Sequence, residues 1–247
     1  MRTHVLGKGR YMSVALIFIC TGANYHKYIE PAVASAKKYF LPQQTDILLF
    51  TDSERQYDVA KQVQSPHLGW PNVTWRRFHT FLGEEVWLSE HDFLWYMDVD
   101  SEIVAPVGEE IFSDGITATV HTSFILSKGT YCTPEENPRS AACLSKKDIR
   151  KMYTGMSYGG TSKAFLALCR ECATIVDIDT KNNFVPIWHD ESVLNKYLYD
   201  HQPAKELGED YNAWNRKPST KVFRVPKPGA PNRPAVNGVQ PSDPRNA

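Results

Sequence analysis

The chain lacks a long apolar run, an excess of charge of either sign, and the cysteines of a disulfide framework. Its longest apolar run, Val14 to Cys20, falls far short of the ~20 residues that cross a bilayer and of the apolar core of a secretory signal. It reads as a buried strand, and no membrane span is expected. Basic and acidic residues number 28 each, so no global field draws the chain to nucleic acid or an anionic membrane. Charge recognition must be local. Five cysteines, an odd number, favour a reducing compartment. Cys169 and Cys172 form a C-x-x-C pair inside a helical pattern, where i and i+3 share a face. Core packing is expected there, because a structural zinc site wants four ligands and no second close pair exists. Repeats of solenoid period are also absent.

What is present suffices for a core. Of 247 residues, 42% are hydrophobic, enough for one domain or two small lobes. Tyr11 to Cys20 reads as a strand, Tyr25 to Phe40 as an amphipathic helix, and Asp46 to Thr51 as a second strand closed by the polar turn Thr51-Asp52-Ser53. After the Gly69-Trp70-Pro71-Asn72 turn, Trp75 to Leu88 carries Phe78, Leu82 and Val86 at helical spacing, and Phe93 to Met97 is a short apolar strand. This alternation predicts an α/β fold with a mainly parallel central sheet flanked by helices. Further on, Thr117 to His121 reads as a strand, Lys128 to Lys147 as a long loop, and Thr161 to Asp177 and Glu191 to Tyr199 as helices. From Pro218 onward there are seven prolines and few large apolar residues, a composition that predicts a flexible tail over 218–247. A single folded domain is therefore expected over 1–217, with the regular alternation confined to about 1–100 and a less regular half over about 101–217.

Three segments concentrate the chemistry. Asp98-Val99-Asp100 follows the apolar strand, and two carboxylates at the carboxyl end of a buried parallel strand suit Mn²⁺ or Mg²⁺ bridging a diphosphate. Trp188-His189-Asp190-Glu191 opens a helix. Its acids could simply cap the helix, or could stabilise or attack the oxocarbenium-like centre of a breaking glycosidic bond. Tyr153 to Thr161 contains Gly155, Gly159 and Gly160 and reads as a loop entering a helix, where backbone amides can approach a ligand. It lacks the spacing of a dinucleotide or P-loop fingerprint.

Together these segments resemble glycosyltransferase family 6, the family of the blood-group A and B transferases and α-1,3-galactosyltransferase. The most specific stretch is Trp188-His189-Asp190-Glu191-Ser192-Val193-Leu194-Asn195-Lys196-Tyr197-Leu198. Asp98-Val99-Asp100, Gly159-Gly160, Trp75-Arg76-Arg77-Phe78 and Val225-Pro226-Lys227 extend the resemblance along nearly the whole chain. It implies a GT-A-type fold with a single catalytic domain over 1–217, nucleotide-binding over about 1–100 and acceptor-binding over about 101–217, a UDP-sugar donor, Mn²⁺ (or Mg²⁺) on Asp98 and Asp100, and retaining transfer of a hexose to a glycan acceptor, a β-galactoside, through an α-1,3 linkage. It implies that Glu191 is the nucleophile or stabiliser, that Asp190 holds the donor sugar, and that Thr21 and Arg77 contact the donor. Lys227 and Arg233 would close over the diphosphate, while Trp188, His189 and His121 would face the acceptor. Thr154, Gly155 and Met156 occupy the segment that tunes sugar choice, and a bulky Met156 there predicts galactose or glucose over N-acetylgalactosamine. Vertebrate members carry a membrane anchor; this sequence resembles the soluble bacterial or phage type, and a cytoplasmic location is expected. Two other readings of the same residues are a divalent-metal hydrolase and a carbohydrate-binding module.

Overall fold

A computed structural model describes residues 12–130 and 132–225. Strand β1 (Val14–Cys20) leads through a short 3₁₀ turn into helix α1 (Ile29–Tyr39) and strand β2 (Thr45–Thr51), followed by β3 (Lys61–Gln64). Three short helices come next, α2 (Asn72–Trp75), α3 (Arg77–Leu82) and α4 (Glu85–Ser89), before β4 (Phe93–Met97) and β5 (Ser101–Ile103). Then come β6 (Ile116–Val120), α5 (Thr122–Leu126), β7 (Tyr153–Thr161), α6 (Ser162–Lys181), α7 (Asp190–Asp200), β8 (Lys205–Leu207) and β9 (Val222–Arg224).

The central sheet has seven strands in the order β3-β2-β1-β4-β7-β6-β8. The first four run parallel, β7 is antiparallel to both neighbours, and β8 is parallel to β6. This is the mainly parallel, helix-flanked α/β sheet of the GT-A type. Alternation along its strands builds two cores. Ala15, Ile17, Leu94 and Tyr96 face α3, α6 and α7 with Phe78, Phe81 and Phe165. Val14, Leu16, Phe18, Trp95 and Met97 face the opposite side with Ile29, Ala32 and Ala36 of α1. Side chains that alternate in this way on a sheet buried on both faces make the central strands β1 and β4 apolar throughout.

Strand order determines where a ligand can enter. From β1 the chain moves outward to β2 and β3, then returns to place β4 on the other side of β1. The crevice beyond the carboxyl ends of β1 and β4 is thus a topological switch point, the usual binding position in an open α/β sheet.

Four expectations differ from the structure. The single helix expected over Trp75 to Leu88 is split: Arg76 and Glu84 leave helical dihedrals, and Gly83 closes α3. Gly83 costs helix propensity, and the break at Arg76 turns Arg77 inward. Tyr153 to Thr161 is a strand in mid-sheet rather than a loop, with both neighbours paired to it over Tyr158 to Gly160. Its Gly159 is a packing requirement, since a Cβ there would sit 2.3 Å from the Trp95 ring and 2.4 Å from the Leu94 carbonyl. Part of the tail expected from Pro218 is folded: Val222–Arg224 pairs antiparallel with β5 and both Thr220 and Val222 are buried, while 226–247 lie outside the described residues. Finally, β3, β5, β8 and β9 are strands of three or four residues that no run of alternation announces. Cys169 and Cys172 lie fully buried in the core on α6.

Candidate active site

Arg77 is the centre of the site. Only 5% exposed, it donates through Nη1 to the Gly155 carbonyl at 2.9 Å and reaches Asp190 Oδ2 at 3.1 Å and Asp98 Oδ1 at 3.5 Å. Its guanidinium also lies over the Tyr96 ring, 4.6 Å from the centroid. One buried cation therefore ties together the end of β4, the middle of β7 and the start of α7. It is largely shielded from solvent, held between Asp98 and Asp190.

Asp98 leaves β4 at the switch point, where it accepts the Tyr96 hydroxyl at 2.6 Å. Its backbone amide donates to the Met156 carbonyl at 2.8 Å. Burial raises its pKa and the neighbouring Asp100 raises it further, against the lowering pull of Arg77. Asp100 is 4% exposed, and its carbonyl accepts the Val225 amide.

Strand β7 is strongly bulged where it passes these groups. Ala118 pairs with Tyr158 and Val120 with Tyr153, so five steps along β7 oppose two along β6. A bulge of this kind re-aims the chain beside a site. Here it turns the Gly155 amide onto Glu191 Oε2 at 2.8 Å while the Gly155 carbonyl receives Arg77. A Cβ on Gly155 would meet Asp190 Oδ2 at 2.8 Å. Thr154 is buried and accepts the Met156 amide through its hydroxyl. The Met156 side chain, expected to crowd the donor sugar, is 2% exposed and belongs to the α1-side core with Trp95 and Met97; the bulge turns it inward.

The start of α7 supplies the remaining acids. Asp190 and Glu191 both have pKa values pushed up to about 7, chiefly by burial; Arg77 opposes this for Asp190, and the Gly155 amide and Arg224 oppose it for Glu191. His189 has its pKa lowered to about 4 by burial and by Arg77, so it is neutral at ordinary pH. Its ring meets exposed Trp70 edge-on at 4.7 Å. His121 Nδ1 accepts the Ser123 amide, which leaves the proton of the neutral ring on Nε2, 3.9 Å from Glu191 Oε1. Trp188 donates its indole N–H to Thr133 at 2.9 Å.

Thr21 directly follows β1 at the same edge, hydrogen-bonded to His67 Nδ1, and the adjacent Gly22 amide donates to Asp52. Arg77, Asp98, Gly155, Asp190, Glu191 and His121 are thus brought into one constellation, with Thr21 and Asp100 beside it. Lys227 and Arg233 lie outside the described residues. Two groups escaped the sequence reading. Tyr96 was taken only as an apolar strand residue, although its position two before Asp98 puts both on one face. Arg224 lowers the pKa values of Asp98 and Glu191 from a strand with no local signature.

A divalent cation fits the donor set. Among the described residues no cluster of three or more His, Cys, Asp or Glu forms a protein cage. Asp98 and Asp100 offer hard carboxylate oxygens, and small hard cations are commonly held by one or two carboxylates plus substrate phosphates.

An open α/β sheet with paired acids at its switch point and buried carboxylates facing them is the arrangement of a GT-A-type glycosyltransferase. The sequence profile of glycosyltransferase family 6 matches residues 10–230, and the chain belongs to that family. It is 33% identical over 150 residues to rat histo-blood group ABO system transferase 1, covering 60% of this chain and 42% of the rat protein. It is 27% identical to the Escherichia coli O-antigen biosynthesis glycosyltransferase WbnI, over 83% of this chain and 89% of that one. Human globoside alpha-1,3-N-acetylgalactosaminyltransferase 1 is 24% identical, over 81% of this chain and 61% of its own length. The chain thus spans less than half the length of the rat transferase it matches. No helix among the described residues is long and apolar enough to cross a membrane.

Proposed function

We propose that the chain transfers a hexose from a UDP-sugar to a β-galactoside acceptor with retention of configuration, forming an α-1,3 linkage. The observation that carries this reading is the Arg77 cluster: a buried cation fixes Asp98 at the switch point and Asp190 at the helix start, and the Gly155 amide orients Glu191 beside them. Asp98 and Asp100 would hold Mn²⁺ or Mg²⁺, which supplies positive charge to the diphosphate as it leaves. Arg224 adds a second cation on the same side of the site. Asp190, pinned by Arg77, orients hydroxyls of the donor sugar. Glu191 supplies the carboxylate that stabilises, or attacks, the electron-poor anomeric carbon. His121 and Trp188 face the acceptor, and neutral His189 can accept or donate a hydrogen bond without adding charge.

The expectation of galactose or glucose over N-acetylgalactosamine rested on Met156 crowding the sugar's C2. With that side chain in the core, the three donors enter the test on equal terms. Each is incubated with β-galactoside acceptors in Mn²⁺ or in EDTA, and product is read by mass and UDP release. Mn²⁺-dependent sugar transfer supports the proposal. Phosphodiester cleavage, or UDP-sugar breakdown that no acceptor diverts, would replace it with a hydrolase.

A further inference from the structure

The long connection between α5 and β7 contains a carboxylate that the proposed reaction does not use. Glu135 is 4% exposed, and backbone amides occupy both of its oxygens. Oε1 accepts from Asn137 at 2.8 Å, a local turn contact. Oε2 accepts from Ile187 at 2.7 Å, across 52 residues of sequence. Its own carbonyl takes the Leu144 amide at 2.7 Å, closing the connection on itself. A group that only shaped the turn would need one oxygen; the second reaches the segment that delivers the acids of the site.

That segment is strained. His189 has φ 51° and ψ −119°, a conformation a non-glycine residue keeps only when its surroundings over-determine it. The His189 amide donates to Pro186 at 3.0 Å and the Trp188 amide to Ser192 Oγ at 3.1 Å, and Asp190 and Glu191 follow at once in α7. Ile187 lies inside this turn, and its amide is held by a charged acceptor, which makes a short and strong hydrogen bond.

We propose that Glu135 is a positioning residue: its buried carboxylate braces the Pro186-to-Asp190 turn, fixing the His189 backbone and hence where Asp190 and Glu191 stand. The inference rests on the transferase reading for its kinetic consequence but not for its structural one. Asp179 offers an internal control. It is fully buried and holds the same connection, accepting Ser140 Oγ and the Ala141 amide, each at 2.6 Å, but it ties that connection to α6 rather than to the turn.

The test compares Glu135→Gln with Asp179→Asn in the full chain. Glutamine presents one carbonyl and one amino group, so one of the two backbone amides would face a donor. Expected for Glu135→Gln are faster hydrogen exchange over residues 184–191, a kcat lower by on the order of tenfold to a hundredfold, and UDP–Mn²⁺ affinity within about twofold of wild type. Asp179→Asn is expected to lower Tm while leaving exchange in the turn and kcat per folded molecule unchanged. Glu135→Asp, which keeps the charge but withdraws it by one methylene, carries the same test if the glutamine variant folds poorly. Unchanged exchange in the turn, or the same pattern from both sites, would overturn the proposal. If the wild-type protein transferred no sugar, the exchange comparison would still decide the brace, so its failure and that of the transferase reading are separable.

Discussion

Glu191 shows how environment gives one carboxyl both a cost and a use. Its pKa of about 7, against 4.5 for an ordinary glutamate, means that the folded state holds the proton more tightly than the unfolded chain. Stability from this group is therefore fully present below about pH 4.5 and is lost as pH rises through about 7. Glu191→Gln is expected to raise Tm at pH 8, by a few degrees if about 1 kcal/mol is recovered, while lowering kcat by about two orders of magnitude or more. In the wild-type enzyme kcat/KM is expected to rise through about pH 7 as the Asp190 and Glu191 pair loses a proton. A flat profile between pH 6 and 8 would deny the charged pair its role. Met156 bears the opposite expectation. Because its side chain fills the core, Met156→Gly is expected to cost at least the ~2–5 kcal/mol of a large-to-small core change and to leave donor preference unaltered. Donor specificity constants and a denaturant melt check both halves. Of these residues, Glu191 stood out in sequence because it lies in a long specific string, and Asp98 because it directly follows the apolar strand Phe93–Met97. The inward turn of Met156 did not, since it depends on the bulge against β6.

Among the secondary-structure elements, legibility followed locality. Phe93–Met97 is five apolar residues bounded by Asp92 and Asp98, and its limits were read correctly. Helix α6 was found near its start but runs four residues past the expected end, where Asp179 is buried among polar residues of the connection. Tyr153–Thr161 could not be read as a strand from its own composition. Three glycines and no alternation argue against one, and it is the Trp95 ring and the Leu94 backbone across the sheet that require Gly159. Strand β9 exists only because β5, some 120 residues earlier in the chain, offers it an edge. That pairing brings Arg224 near the acids, so Arg224→Ala is expected to raise the apparent pKa of kcat/KM and to weaken UDP binding, with little effect on the pairing itself. Titration calorimetry with UDP and Mn²⁺, together with a pH profile, checks this; unchanged values for both would leave Arg224 a surface residue of β9.

For the whole molecule, the sheet order converts two distant stretches of sequence into one crevice. Thr21 after β1 and Asp98 after β4 meet there only because the chain doubles back across β1. The sequence showed the alternation that produces such a sheet but not the return that creates its switch point. Asp98→Asn combined with Asp100→Asn is expected to abolish Mn²⁺-dependent turnover with the fold retained, and chelation is expected to mimic it. Full activity in EDTA would require cation-free neutralisation of the leaving group. The most direct measurement of the central claim is the anomeric configuration of the first product formed from an α-linked UDP-hexose and a β-galactoside, followed by NMR as the reaction proceeds. The account expects an α-1,3-linked product formed without prior release of free sugar; a β-linked product, or free hexose as the sole product in the presence of acceptor, would contradict it.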